Sequence, residues 1–232
     1  MMALLFDVQG TATDFFTTVR DAAAGVLGPR FPKRDWTSFV NDWRAAYFEG
    51  ITALARSNGP WTTLDSVYRS ALDALLAAGG MDEASEAERA ELNRAWRRLR
   101  PWPDTVPGLR RLRANFTLAT LSNADVSAVV EITRRGDLPW HAIFTAEMAG
   151  AFKPDPRAYL MAVRYLGLAP GEITMVASHK YDLRAARELG FATAFIARPL
   201  EYGDPALADV EPGDEFDINA ADFEDLATQL GA

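Results

Sequence analysis

Asp7 stands directly after the apolar run Ala-Leu-Leu-Phe at residues 3–6, and Gly10 and Thr11 follow it closely. Ligands in open α/β sheets bind outside the carboxyl ends of the strands, so a carboxylate placed there is a candidate nucleophile. The same Asp also reads as a cap for the turn that Gly10 permits, and the stretch alone does not separate the two. Three more polar clusters end short apolar runs: Ser122-Asn123, Lys153-Pro154 and Ser178-His179-Lys180-Tyr181-Asp182. Together they offer a carboxylate, a hydroxyl, an ammonium and a second carboxylate. One polar residue after a strand is unremarkable, but clusters in register form a site. Lys153 has a definite use in it, because a cation within about 4–6 Å keeps a carboxylate ionised.

Those clusters need strands to hold them level. Residues 3–6 leave no room for alternation and suit a strand buried on both faces of a parallel sheet. Residues 13–28 look helical, capped by Thr13 or Asp14 and stopped by Gly28. From 35 to 56, Trp36, Phe39, Val40, Trp43, Ala46 and Tyr47 recur at helical spacing, and Asn58-Gly59-Pro60 breaks the pattern. A helix from Thr62 or Thr63 to Ala78 follows. Another begins with the capping-box pattern Ser85-x-x-Glu88 and runs to about Leu99. Beyond Pro101-Trp102-Pro103 the chain alternates. Strands are expected at 116–121, 141–144, 173–177, 192–197 and 216–218. Helices are expected around 106–112, 124–135, 155–166 and 181–189, and from 221. Such alternation implies an α/β fold with a Rossmann-like parallel sheet and right-handed crossovers. An all-helical insert at 14–100 would interrupt a core formed by 1–13 and 101–232.

Composition narrows the chemistry. The 232 residues are 49% hydrophobic, enough for a sizeable core. The net charge of −8 argues against general binding to nucleic acid or an anionic membrane. It leaves room for a small anionic substrate in a locally positive pocket. The absence of cysteine excludes disulfides, thiol nucleophiles and Cys-ligated metals. His141 and His179 are too few for a multi-histidine metal site. No basic segment with a long apolar stretch opens the chain, and no run approaches the ~20 apolar residues of a membrane span. A soluble cytoplasmic protein is expected.

The order Asp7-x-x-Gly10-Thr11, Ser122-Asn123, Lys153-Pro154 and an Asp182-bearing loop resembles the haloacid dehalogenase superfamily. The resemblance runs from residue 3 to about 199, with the helical insert in the place of the family's cap domain. Phosphatase members carry a second Asp where this chain has Gln9, and paired acids upstream of Asp182 where it has Ala177-Ser178-His179. Both changes point away from Mg²⁺, which wants several oxygens. They fit the L-2-haloacid dehalogenase branch, which works without metal or other cofactor. Trp43-Arg44 and Lys153-Pro154-Asp155-Pro156-Arg157-Ala158-Tyr159 match that branch as well.

The resemblance implies displacement of halide from a short 2-haloacid by Asp7, through an ester that water then hydrolyses. It implies Ser122 and Lys153, with backbone N–H groups near Gln9 and Asn123, on the substrate carboxylate. It places Arg44 and Asn123 on the halide. Thr11 would fix the Asp7 rotamer, or only stabilise the turn. Asp182 would position Lys153 and help orient water, or serve only as an acid at a helix N-terminus. Tyr159 would bond Lys153 or substrate, or pack in the core. Ser178 counts as a substrate-side residue or a turn starter. His179 stands where an Asn is common, as a donor, a helper of water, or a structural group. Two alternatives stay open: an Mg²⁺-dependent phosphatase, and a catalytically silent small-acid-binding protein. A homodimer is compatible with exposed cap aromatics.

Overall fold

The computed structural model describes residues 2–57, 59 and 61–232, so Asn58 and Pro60 of the expected helix break lie outside it. The chain opens with β1 (Ala3–Phe6) and a two-residue β2 (Thr13–Asp14), then runs through α1 (Phe15–Leu27), α2 (Trp36–Ser57), α3 (Leu64–Ala78) and α4 (Glu86–Arg94). It returns through β3 (Arg100–Pro101), which pairs antiparallel with β2. After α5 (Thr105–Leu112), strands and helices alternate: β4 (Thr117–Ser122), α6 (Val126–Gly136), β5 (Ala142–Thr145), α7 (Ala146–Ala149) and α8 (Pro156–Leu166). The last elements are β6 (Ile173–Ala177), α9 (Lys180–Glu188), β7 (Ala192–Ile196), β8 (Ile218–Ala220) and α10 (Phe223–Gln229).

Six strands form a parallel sheet in the order β5-β4-β1-β6-β7-β8. The expected α/β fold is therefore observed. From β1 the sheet grows through β4 to β5, then the chain crosses back to β6 on the other side of β1. Ligand crevices form at such reversals. Side chains of β1 divide between two layers. Leu4 and Phe6 pack with Leu109, Leu112, Val129 and Phe223, whereas Ala3 and Leu5 pack with Tyr159, Ala162, Leu183 and Ala186. Leu4, Leu5 and Phe6 are fully buried. Such burial contributes about 1.5–3 kcal/mol per side chain.

The helices α1 to α4 gather around stacked rings. Tyr68 lies 4.2 Å from Tyr47 and 4.0 Å from Trp96, centroid to centroid. The Ser85–Glu88 capping box forms as expected. This helical layer docks through polar contacts. The Asp125 carboxylate accepts from the N–H groups of Leu64 (2.9 Å) and Asp65 (2.8 Å), capping α3 from across the interface. Among the described residues no helix is long and apolar enough to cross a membrane.

Some boundaries differ from expectation; the helix expected to run to about Leu99 ends at Arg94 and gives way to a 3₁₀ turn over Ala95–Arg97. The first helix starts at Phe15 because Thr13 and Asp14 pair with Pro101 and Arg100, and Asp14 turns its carboxylate to the Thr17 N–H as the cap. The last strand begins at Ile218, two residues past the expected start. Phe216 instead stacks on Phe195 from the preceding loop, and the Asp217 carboxylate accepts from the Thr193 N–H and hydroxyl.

Candidate active site

Phe6 is level with Thr120 on β4 and Val176 on β6, so the three strands end together. The Asp7 N–H still donates to the Val176 carbonyl (3.0 Å), which extends the ladder to the nucleophile candidate. The turn after Asp7 brings Thr11 back over it. The Thr11 hydroxyl donates to Asp7 Oδ2 (2.8 Å), and the Ser178 N–H donates to that hydroxyl oxygen (3.0 Å). The Lys153 ammonium donates to Asp7 Oδ1 at 2.9 Å and also to Asp182. Tyr159 donates to Asp182 Oδ1 at 2.5 Å.

Asp7, Gln9, Arg44, Tyr47, Phe48, Ser122, Asn123, Lys153, His179 and Tyr181 enclose a cavity of about 10 Å³. That is roughly the space of one water. The Ser122 hydroxyl is buried and has no hydrogen-bond partner among the described residues. Arg44 is buried as well. One of its Nη atoms donates to Gln9 Oε1 (2.9 Å) and to the Tyr68 hydroxyl (2.6 Å). Its guanidinium lies 4.6–5.0 Å from the ring centroids of Phe48, Phe15 and Tyr47. An Arg inside such a ring cage keeps both charge and orientation.

The electrostatics follow from this crowding. Burial pushes the Asp7 carboxyl up, but the Lys153 charge and the neighbouring His179 outweigh it, and the group is held well below the usual carboxylate range. Burial pulls Lys153 down, while Asp182 and Asp7 push it up, with a net rise. Asp182 rises, first through burial and then despite the Lys153 charge because Asp7 is near. Two carboxylates share one ammonium and titrate as a unit, with Asp7 the member held ionised.

Asp7, Gln9, Arg44, Ser122, Asn123, Lys153 and His179 thus meet around one cavity. Other residues sit differently from the sequence expectation. Tyr159 is fully buried on α8, donates to Asp182 and does not line the cavity. Asp182 is fully buried, accepts from Lys153 and Tyr159, and is not among the residues lining the cavity. Asn123 spends its amide on the Lys153 backbone, accepting from the N–H (2.7 Å) and donating to the carbonyl (3.1 Å). That pairing ties Asn123 to the Lys153 backbone and leaves its second amide N–H, and Asn123 lines the cavity. Ser178 and Thr11 form a hydroxyl pair (3.0 Å) behind Asp7.

Sequence reasoning missed Tyr68, which donates to Gln9 Oε1 (2.8 Å), and Tyr47, which donates to the Asn123 carbonyl (2.9 Å). Both look like members of apolar helix faces. It also missed Glu201, which is buried with Oε1 2.8 Å from His179 Nε2. The available signal was a carboxylate just beyond the strand expected at 192–197, level with the other clusters.

A sequence model described as a haloacid dehalogenase-like hydrolase matches residues 1–190. The chain is 30% identical over 206 residues to (S)-2-haloacid dehalogenase 1 of Pseudomonas sp. (strain CBS-3), covering 86% of this chain and 87% of that one. It is 29% identical over 219 residues to a phosphoserine phosphatase of Thermus thermophilus, covering 90% and 86%. Among solved structures, a defluorinating L-2-haloacid dehalogenase superposes with a TM-score of 0.95 at 38% identity, covering 100% of this chain and 96% of that chain. An L-2-haloacid dehalogenase from Xanthobacter autotrophicus with chloropropionic acid covalently bound gives a TM-score of 0.84 at 25% identity, covering 100% and 99%. With the parallel sheet and the grouping of Asp7, Ser122, Lys153 and Asp182 already in place, the chain belongs to the haloacid dehalogenase-like hydrolases.

Proposed function

We propose that this protein is a hydrolytic dehalogenase acting on the carbon–halogen bond of short L-2-haloacids. The observation that carries the reading is Asp7, held ionised by Lys153 beside a small cavity. A carboxylate oxygen of Asp7 attacks carbon 2 in line, the carbon–halogen bond breaks, and an ester forms. Water then releases a 2-hydroxyacid of inverted configuration. The covalent chloropropionic acid in the Xanthobacter neighbour supports an ester of this kind. The unpartnered Ser122 hydroxyl and the Lys153 ammonium suit the substrate carboxylate. Arg44 in its aromatic cage suits the departing halide. Residues 14–100 serve as the cap and 1–13 with 101–232 as the core.

Phe48 and Tyr181 line the small cavity. Both also line two outer clefts of about 390 and 440 Å³. Small size and the polar Gln9 wall favour short acids and small halogens, fluoride included, in line with the defluorinating neighbour. The residues do not fit the Mg²⁺ of phosphatases. The Lys153 ammonium already bridges the two carboxylates, and no group of three or more metal-ligating side chains forms among the described residues.

Halide release from fluoro-, chloro- and bromoacetate and from L-2-chloropropionate, with and without chelator, tests the proposal. Release that withstands chelator is expected. Phosphate release requiring Mg²⁺, with no halide from any acid, overturns it. A variant checks the halide assignment. Arg44→Lys keeps the charge but loses the planar fork, and is expected to lower kcat/KM by about 100-fold. Its melting temperature should fall by only a few degrees. Retained activity with a collapsed melting temperature makes Arg44 a packing residue.

A further inference from the structure

We propose that the Gln9 side-chain amide donates a hydrogen bond to the departing halide and favours cleavage of carbon–fluorine bonds over those to larger halogens. The inference rests on the dehalogenase reading and deepens it, by placing a further donor on the leaving group beside Arg44. Gln9 is 4% exposed and lines the cavity with Asp7 and Arg44. Its Oε1 accepts from an Arg44 Nη (2.9 Å) and from the Tyr68 hydroxyl (2.8 Å). Its Nε2 bonds to none of the described residues. A buried amide nitrogen carries two N–H donors, and leaving them unmet is costly, so the site favours an acceptor there.

The amide cannot turn over to pair that nitrogen with the same neighbours. Arg44 has donors only, so it must meet an oxygen. The Tyr68 hydroxyl accepts from the same Nη (2.6 Å), which leaves its own proton for Gln9. Burial raises that hydroxyl above its ordinary range, so the proton stays. Tyr68 is itself held between Tyr47 and Trp96, with ring centroids 4.2 and 4.0 Å away. Oε1 is thus committed to Arg44 and Tyr68, and the N–H end of the side chain is left for a bound molecule.

Its neighbours decide which substrate atom it meets. Ser122 and Lys153 suit the substrate carboxylate, whereas Gln9 is bonded to Arg44, the cation that suits the halide. Arg44 has given one Nη to Gln9 and Tyr68, so the amide N–H supplies the halide with a donor that Arg44 spends. As an Asp7 oxygen bonds to carbon 2, the carbon–halogen electron pair leaves with the halogen and negative charge grows on it. The Gln9 N–H donates to that charge and keeps its proton, and the halogen departs as the halide anion. Donors aimed where charge develops act on the transition state. Fluoride gains most, because its charge is the most concentrated and binds N–H donors most strongly. Bromide spreads its charge and depends less on any one donor.

The test is kcat/KM for fluoro-, chloro- and bromoacetate, since that ratio reports the steps up to carbon–halogen cleavage. Gln9→Met keeps the length of the side chain and removes the amide. It should lower kcat/KM by about 100-fold for fluoroacetate and about 5-fold for bromoacetate, with chloroacetate between them. The fluoro-to-bromo ratio should therefore fall by about 20-fold. If Gln9→Met does not fold, Gln9→Glu carries the same comparison. It keeps an acceptor for Arg44 and Tyr68 and puts an oxygen in place of the amide nitrogen, so its fluoro-to-bromo ratio should fall at least as far. An equal loss on all three acids overturns the inference, because Gln9 then only holds Arg44 or meets the substrate carboxylate. Wild-type enzyme that releases chloride and bromide but no fluoride overturns it as well. Both outcomes leave the dehalogenase reading intact. No halide from wild-type enzyme with any 2-haloacid removes both.

Discussion

Asp7→Asn is expected to abolish halide release, with a fall of at least about 10⁴-fold, because the amide has no anionic oxygen to bond to carbon. The fold should survive the change. The Asn oxygen can still accept from Lys153, and the buried site loses a charge that burial alone disfavours. Halide assays at saturating substrate, beside thermal melts, separate the two effects. A folded variant keeping more than roughly one per cent of the wild-type rate would place the nucleophile elsewhere.

Lys153→Met is expected to cost both activity and stability. It leaves Asp7 and Asp182 buried without their shared cation, and breaking a buried ion pair in this way costs about 3–5 kcal/mol. The pH dependence should also change. In wild-type protein Asp7 lies below its ordinary 3.8, so its contribution to stability is present above that value and fades as pH falls through the folded pKa. Lys153 lies above its ordinary 10.5, so its contribution is present below that value and is lost as pH rises through the folded pKa. His179 adds stability that is complete below 6.5 and lost as pH rises toward about 10. Wild-type melting temperature should therefore weaken on both acid and alkaline sides. Lys153→Met should instead gain stability on mild acidification, as a stranded carboxyl takes a proton. Melts from pH 2 to 11 test this, and a variant whose profile parallels wild type would show that the ammonium does not hold Asp7 ionised.

Much of this protein is legible along the chain. Residues 3–6 form a short apolar run that suits a doubly buried strand, and the polar clusters at and beyond the strand ends mark the functional edge of the sheet. The capping box at Ser85 and Glu88 and the strand at Ile173–Ala177 appear where local pattern puts them, because caps and buried strands are written in adjacent residues.

Which polar group faces the cavity and which stands behind it was decided only by the tertiary structure. Asn123, Tyr159 and Asp182 all belong to the clusters and motifs that the sequence marks, yet Asn123 bonds the Lys153 backbone, Asp182 bonds the Lys153 ammonium and Tyr159 bonds Asp182. Tyr47, Tyr68 and Glu201 come from two cap helices and a distant loop, and no spacing connects them to Gln9, Asn123 or His179. Local pattern reports the periodicity that drives burial, and so it determined the sheet and its functional edge. Hydrogen bonds between distant segments depend on how helical cap and core meet, and only folding the two together sets which donors face which acceptors.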